Sequence, residues 1–251
     1  MTTASEGGDA LVTDRHSPTL GRVLEVLEEA RHYRDWIFSL AQPFLGRRVL
    51  EVGAGSGTMF ECILDRDLAV ALEIDGELVK VLRQRFGGQP NVGVVHGSLS
   101  NAATVEAVRN LRVDSAMTFN VLEHIEDDAG TLASIAEVLA PGNTLSVLVP
   151  AFPSIYGAMD HGVGHVRRYR AKELVTKMSD AGFSVVKARY VNFPGYFAWF
   201  VNGRVLRADS PAGGRRMVSI YDKTVVPVTR VLERVVRPPC GQSLFVAGRR
   251  N

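Results

Sequence analysis

Residues 48–60 read RVLEVGAGSGTMF. A short apolar run ends in three glycines at alternate positions, Gly53, Gly55 and Gly57, with a carboxylate, Glu51, two residues before the first. Such a run reads as a buried strand turning into a helix, and in a parallel sheet the first such turn carries the ligand signature. A phosphate-binding P-loop needs G-x-x-x-x-G-K-[ST], and no lysine follows here. The dinucleotide fingerprint G-x-G-x-x-G needs glycine or alanine at position 58, where Thr58 stands. What remains, E-x-G-x-G-x-G, brings backbone close to a small ligand without building a pyrophosphate cradle. Glu51 at the strand end suits a cation, and S-adenosylmethionine carries a sulfonium and an ammonium. Glu73, 20 residues after Gly53, stands at the end of the next apolar run, where an acid can take ribose hydroxyls. That spacing alone would suit NAD as well; joined to the first loop it favours S-adenosylmethionine.

Outward from this turn, apolar runs alternate with helical stretches. RVLEV, LAVALEI (68–74), NVGVVHG, the run near Val113 to Phe119, and NTLSVLVP (143–150) read as strands. Gly57 to Leu64, DGELVKVLRQRF and IEDDAGTLASIAEVLA read as helices between them. This rhythm means βαβ units and a parallel sheet, and the consecutive apolar residues imply cover on both faces. Before it, residues 1–16 read as a disordered tail, and Ser17-Pro18 opens helical sequence running to about Leu40. After Pro150 come a loop rich in Gly, His and Arg (151–170), a helix from Ala171 to Ala181, and the strands FSVVKARYV and QSLFVAGR. The stretch between those two strands (193–240) is too long for a turn and reads as a helical cap or interface. Residues 17–251 are therefore expected to form one domain.

With these segments laid out, the chain resembles the class I S-adenosylmethionine-dependent methyltransferases. RVLEVGAGSG looks like their first motif, ALEID their second and VVHGS their third, while FNVLEHIEDD and VLAPGNTLSVLVPA look like the segment over their fourth and fifth strands. The resemblance implies an α/β fold: a doubly wound, mostly parallel seven-stranded sheet with an antiparallel C-terminal hairpin. It implies S-adenosyl-L-methionine as cofactor and S-adenosyl-L-homocysteine as product. By resemblance, Gly53, Ala54, Gly55 and Gly57 line the methionine part, Glu73 takes the ribose and Ile74 packs the adenine. Ser98 stands where the family usually has an aspartate facing the adenine amine, a departure from the pattern. Asn120 and Tyr33 join the expected cofactor contacts, Tyr33 covering the cofactor from the N-terminal helix, one turn from Trp36.

Methyl transfer is an in-line displacement that gains from alignment, and an oxygen nucleophile also needs a base. Candidates cluster after the fourth strand (Asn120, Glu123, His124) and in YGAMDHGVGHVRRYR, with Tyr156, Asp160, His161 and His165. Arg167, Arg168 and Tyr169 of that loop are expected to contact the acceptor. Asn120-Val-Leu-Glu123-His124 resembles the E-x-x-E-H of ubiquinone-type O-methyltransferases, a metal site there, but asparagine replaces the first glutamate, so no metal is expected. The histidine loop is the better base, since two histidines four apart near arginines are costly to explain as core.

Charge is split along the chain. Residues 1–160 hold 12 Lys and Arg against 22 Asp and Glu; residues 161–251 hold 17 against 5. The arginine-rich half points to an anionic or partly hydrophobic small-molecule acceptor, of the kind modified in secondary metabolism, joined at O or N. A nucleic-acid acceptor competes: ALEID also resembles the rRNA adenine dimethylases, but those carry an N-P-P-Y-like motif where this chain has Asn120-Val-Leu-Glu123. A cofactor-binding accessory subunit without catalysis is the other alternative. The aromatic stretch FPGYFAWF (193–200), with Arg204 and Arg207 beyond it, suits packing inside the insertion, a membrane surface (through 194–207), a substrate pocket or a homodimer face. Cys62 and Cys240, far apart, read as reduced thiols. The polar, acidic N-terminus is wrong for a secretory signal, and with no long apolar run a cytoplasmic protein is expected.

Overall fold

The computed structural model describes residues 30–207 and 214–251. The tail read over 1–16 and the start of the first helix lie outside the described residues. Seven strands, β1 (Arg48–Val52), β2 (Leu68–Glu73), β3 (Val92–His96), β4 (Ser115–Phe119), β5 (Thr144–Pro150), β6 (Phe183–Val191) and β7 (Ser243–Arg250), form one sheet in the order β3-β2-β1-β4-β5-β7-β6. Strands β1 to β5 pair in parallel; β7 runs antiparallel to both β5 and β6, so β6 points the same way as β5.

Alternate residues of one strand serve opposite faces. Leu50, Val52, Val70 and Leu72 enter one apolar core, whereas Val49, Ala69 and Ala71 enter another on the far side. Helices cover both: α1 (Arg31–Ala41), α2 (Gly76–Phe86), α3 (Ala102–Asn110), α4 (Asp128–Val138), the short α5 (Ala158–Gly162), α6 (Ala171–Asp180), α7 (Phe193–Phe200) and α8 (Gly214–Val235). The starts are written in the sequence, since Asp75, Asn101 and Asp127 each accept first-turn N–H groups of α2, α3 and α4.

One expected helix is absent. Gly57 to Leu64 forms only a 3-10 turn over Phe60–Ile63. Residues three apart eclipse in such a turn, and Phe60 and Ile63 are both buried. The 193–240 stretch contains α7, a π turn over Val201–Val205, and α8. Helix α8 faces inward with its polar side: Asp222 accepts the first-turn N–H groups of His32 (3.1 Å) and Tyr33 (2.8 Å), and Glu233 accepts that of Phe193 (2.9 Å). Both buried acids thus satisfy the open ends of other helices, α1 and α7. Among the described residues no helix is long and apolar enough to cross a membrane.

Candidate active site

The carboxyl ends of six strands lie along one edge, and three non-glycine residues with left-handed backbone stand there: Asn120 (φ 55°) after β4, Phe152 (φ 61°) after β5 and Asn192 (φ 63°) after β6. Such backbone costs about 1–3 kcal/mol per residue and concentrates at functional edges.

The three glycines after β1 all have positive φ but for different reasons. A Cβ on Gly53 would strike Val121, and one on Gly57 would strike Phe86 and Leu82, so both are glycine for packing. Ala54 sends its side chain into the core. Only Gly55 (φ 57°) opens onto space, with nothing within 4 Å of the point a Cβ would occupy. The family resemblance gives all four residues to the methionine part; the structure singles out Gly55 as the close-approach position. Beneath it, Glu73 Oε2 accepts the Gly55 N–H at 2.8 Å, while Oε1 accepts those of Ile74 (2.8 Å) and Asp75 (3.0 Å). Glu73 therefore ties the loop to β2 and presents Ile74, 50% exposed, at the edge. Glu51 is buried with Oε2 lacking a partner, and burial, with Glu73 beside it, pushes its carboxyl well above the ordinary range. A buried acid with one oxygen lacking a partner, at the strand end before an open glycine, fits a cationic amino-acid ligand, and these residues would hold S-adenosylmethionine. Ser98 shares a hydrogen bond with Ser100 (3.0 Å). Tyr33 reaches the edge, its hydroxyl 3.2 Å from Ser243 and its ring against Trp36.

Because Gly53 abuts Val121, the segment after β4 borders the glycine loop. It continues through Asn120, exposed, to Glu123, fully buried with both oxygens unpartnered, and His124. Burial raises Glu123 to about 8 and lowers His124 to about 4, the second helped by neighbouring His165.

The histidine loop closes on itself. Ala151 bridges Tyr169 at its base, where Phe152 N–H donates to Tyr169 O (2.9 Å) and Tyr169 N–H to Pro150 O (2.9 Å). Inside it, Asp160 accepts from His165 Nδ1 (2.8 Å), Arg168 Nε (2.7 Å), Gly157 N–H (3.0 Å) and Trp199 Nε1 (3.1 Å). Burial alone would raise the Asp160 carboxyl; the His165 hydrogen bond and the Arg168 charge outweigh it and hold it low. The carboxylate assigns the His165 proton to Nδ1, leaving Nε2 with its lone pair, 3.8 Å from Glu123 Oε1. The His165 side chain keeps 10% exposure and meets the His124 ring edge-on at 4.9 Å. His124 Nδ1 is bound to Gly164 O (3.1 Å). Glu123, His124 and His165 each offer a ligand atom within 4.8 Å of the others, so a metal ion could be held there, by a set including a loop residue that the E-x-x-E-H comparison does not bring in.

Two of the three expected acceptor contacts are buried away from any acceptor, and the third, Arg167, is partly exposed in an ion pair. Tyr169 is fully buried, its hydroxyl donating to Leu122 O (3.0 Å) and Asp128 Oδ2 (2.7 Å), so it is core. Arg168 is buried between Asp160, Ala151 O (2.9 Å) and the face of Trp199 (4.7 Å). Arg167 pairs with Asp128 (3.1 Å) and the carbonyl of Glu126 (2.9 Å). Tyr156 donates its hydroxyl to His165 O (2.6 Å) and braces the loop, with exposed His161 stacked edge-on against its ring. Trp199 is the member that motif reading misses, and Asp160, a candidate in the sequence, is the buried acid on which the loop closes.

Known proteins share this fold. The family model of a methyltransferase domain matches residues 26–188. A probable S-adenosylmethionine-dependent methyltransferase of Mycolicibacterium smegmatis is 32% identical over 149 residues, 58% of this chain and 55% of that protein. The chain spans about half the length of the curated relatives it matches. A solved structure of a possible histamine N-methyltransferase from Thermotoga maritima shares the fold at TM-score 0.60 and 16% identity, over 92% of this chain and 95% of that one. A methyltransferase dependent on the same cofactor, from Archaeoglobus fulgidus, does so at 0.57 and 15%, over 88% and 94%. The match over most of the described sheet, with the glycine loop intact, leads to one conclusion: the chain belongs to the methyltransferase-domain family, as a class I member whose cofactor is S-adenosylmethionine.

Proposed function

We propose that the protein methylates an oxygen or nitrogen atom of a small, partly hydrophobic acceptor, with His165 taking the acceptor's proton. The observation that carries this reading is the pairing of His165 Nδ1 with Asp160, which leaves the Nε2 lone pair free beside Glu123, two residues beyond the Val121 that abuts the glycine loop. Bound S-adenosylmethionine supplies an electrophilic methyl group and leaves as S-adenosylhomocysteine. The chain's own contribution is alignment and the proton: as the acceptor atom bonds to the methyl carbon, its hydrogen passes to His165 Nε2. Asp160 fixes the ring and stabilises the imidazolium that results. An anionic acceptor loses its support, because Arg167 and Arg168 are already held by Asp128 and Asp160.

A second reading has a specific observation behind it. Both histidines anchor Nδ1 elsewhere, and the Glu123 oxygens beside them lack partners. A divalent cation on these three residues would polarise the acceptor in place of a base. Transfer that survives chelation supports the base; transfer lost to a chelator and restored by zinc or magnesium supports the cation.

The reading is tested by mass spectrometry of the purified protein for bound S-adenosylhomocysteine, then by screening hydroxylated and amino small molecules, with RNA included, for the gain of one methyl group. Transfer to a small molecule is expected. Transfer to RNA alone, or retained cofactor with transfer to nothing, would overturn it in favour of the nucleic-acid or accessory-subunit alternative.

A further inference from the structure

Eight of the 17 Lys and Arg of residues 161–251 fall between Arg204 and Arg237. Of the 17 large apolar residues most open to solvent among the described residues, 13 fall between Phe193 and Val236. Helix α8 holds six of them, and it is built inside out. Its buried positions include Asp222, Thr229 and Glu233, the two acids being helix caps, while Met217, Ile220, Val228, Val231 and Val235 face solvent, Val235 at 86%.

At 100° per residue, those five fall within one stripe about 80° wide, and Leu232, also exposed, lies about 40° beyond it on the side away from the cations. The cations Arg216, Lys223, Arg230 and Arg234 fall together on one flank of that stripe, between it and the buried face. Arg204, Arg207, Arg215 and Arg237 add charge at the ends of the same region. Among the described residues of 193–237 the acids are Asp222 and Glu233, both buried, so every exposed formal charge there is positive.

We propose that α8 lies on the surface of an anionic lipid bilayer, with the apolar stripe in the headgroup boundary and the cationic flank on lipid phosphates. An apolar stripe edged by arginine and lysine is the signature of an interfacial helix, and each cation near an anionic surface adds to the attraction. A second copy of the chain fits less well. Across a two-fold axis the same face meets itself, and the cationic flank would find no exposed carboxylate there to pair with. The surface adjoins the histidine loop: α7 reaches Asp160 through Trp199, and Arg204 donates to Tyr156 O at 3.2 Å. The proposal is independent of the methyl acceptor.

Co-sedimentation of the full chain with vesicles tests it, using phosphatidylcholine alone and an equal mixture with phosphatidylglycerol. Binding to the anionic vesicles, weakened by salt, is expected. It should fall at least about tenfold in the variant R216E/K223E/R234E, and likewise in V228D/V231D/V235D. Circular dichroism melting checks both folds, and the charge variant decides if the aspartate variant unfolds. Failure of the wild type to sediment with anionic vesicles, or binding untouched by both variants, would overturn the proposal. So would light scattering that shows a dimer which the aspartate variant splits, with no vesicle binding: the face would then join two copies.

Discussion

The glycine loop after β1 and the histidine loop after β5 stand at the same edge of one sheet, yet they are made in opposite ways. The first is local. Gly53, Gly55 and Gly57 lie within five residues of one another and are fixed by a strand, a turn and one acid, Glu73. The second is assembled from separate segments: Glu123 and His124 after β4, Asp160 and His165 after β5, and Trp199 from α7. The difference teaches where binding and chemistry should separate. Changes in the first loop should act on cofactor affinity, and changes in the second on turnover.

The largest effect that would break this division is at Gly55. A valine there would hold a β-branched residue at φ 57° and send its side chain into the open space, so binding of S-adenosylhomocysteine should be abolished in calorimetry. Wild-type affinity in the folded variant would remove the loop from the cofactor site. Glu73→Ala is next. It strands the N–H groups of Gly55, Ile74 and Asp75, and should weaken binding by about 1–3 kcal/mol while lowering thermal stability.

Stability against pH sharpens the contrast on the other side. Glu123 is raised to about 8 in the folded protein, so the fold binds a proton that the unfolded chain has lost above the ordinary carboxylate range. Its contribution must therefore decline as pH rises from about 5 to about 8. His124, lowered to about 4, acts with the opposite sign: stability is lost as pH falls from about 6.5 toward 4, because only the unfolded chain is protonated there. Thermal melts of Glu123→Gln should lose the decline on the alkaline side and keep the acid one. The smallest effect is expected at Arg167, a partly exposed ion pair. Its alanine variant should cost about 1 kcal/mol or less and leave the Michaelis constant for the acceptor unchanged.

The same contrast sets how much can be read from the sequence. The strands β1 to β5 are legible because both faces are covered and their residues are apolar in series. The helix starts at Asp75 and Asp127 are legible because caps are local. The stretch after Gly57 reads as a helix but folds otherwise, since apolar spacing of three also satisfies a 3-10 turn. Arg168 and Tyr169 look like ligand contacts in the sequence because nothing nearby shows that Asp160 and Asp128 bury them. The orientation of α8 is hidden for a similar reason: its acids point inward only because α1 and α7 need caps.

The central claim is that His165 accepts the acceptor's proton, and single-turnover methyl transfer across pH, comparing wild type with His165→Ala, tests it most directly. The variant should lose roughly 10²–10⁴ in rate, change its pH profile, and bind S-adenosylhomocysteine as the wild type does. A loss below about tenfold with an unchanged pH profile would contradict a histidine base at this position and leave alignment alone to carry the transfer.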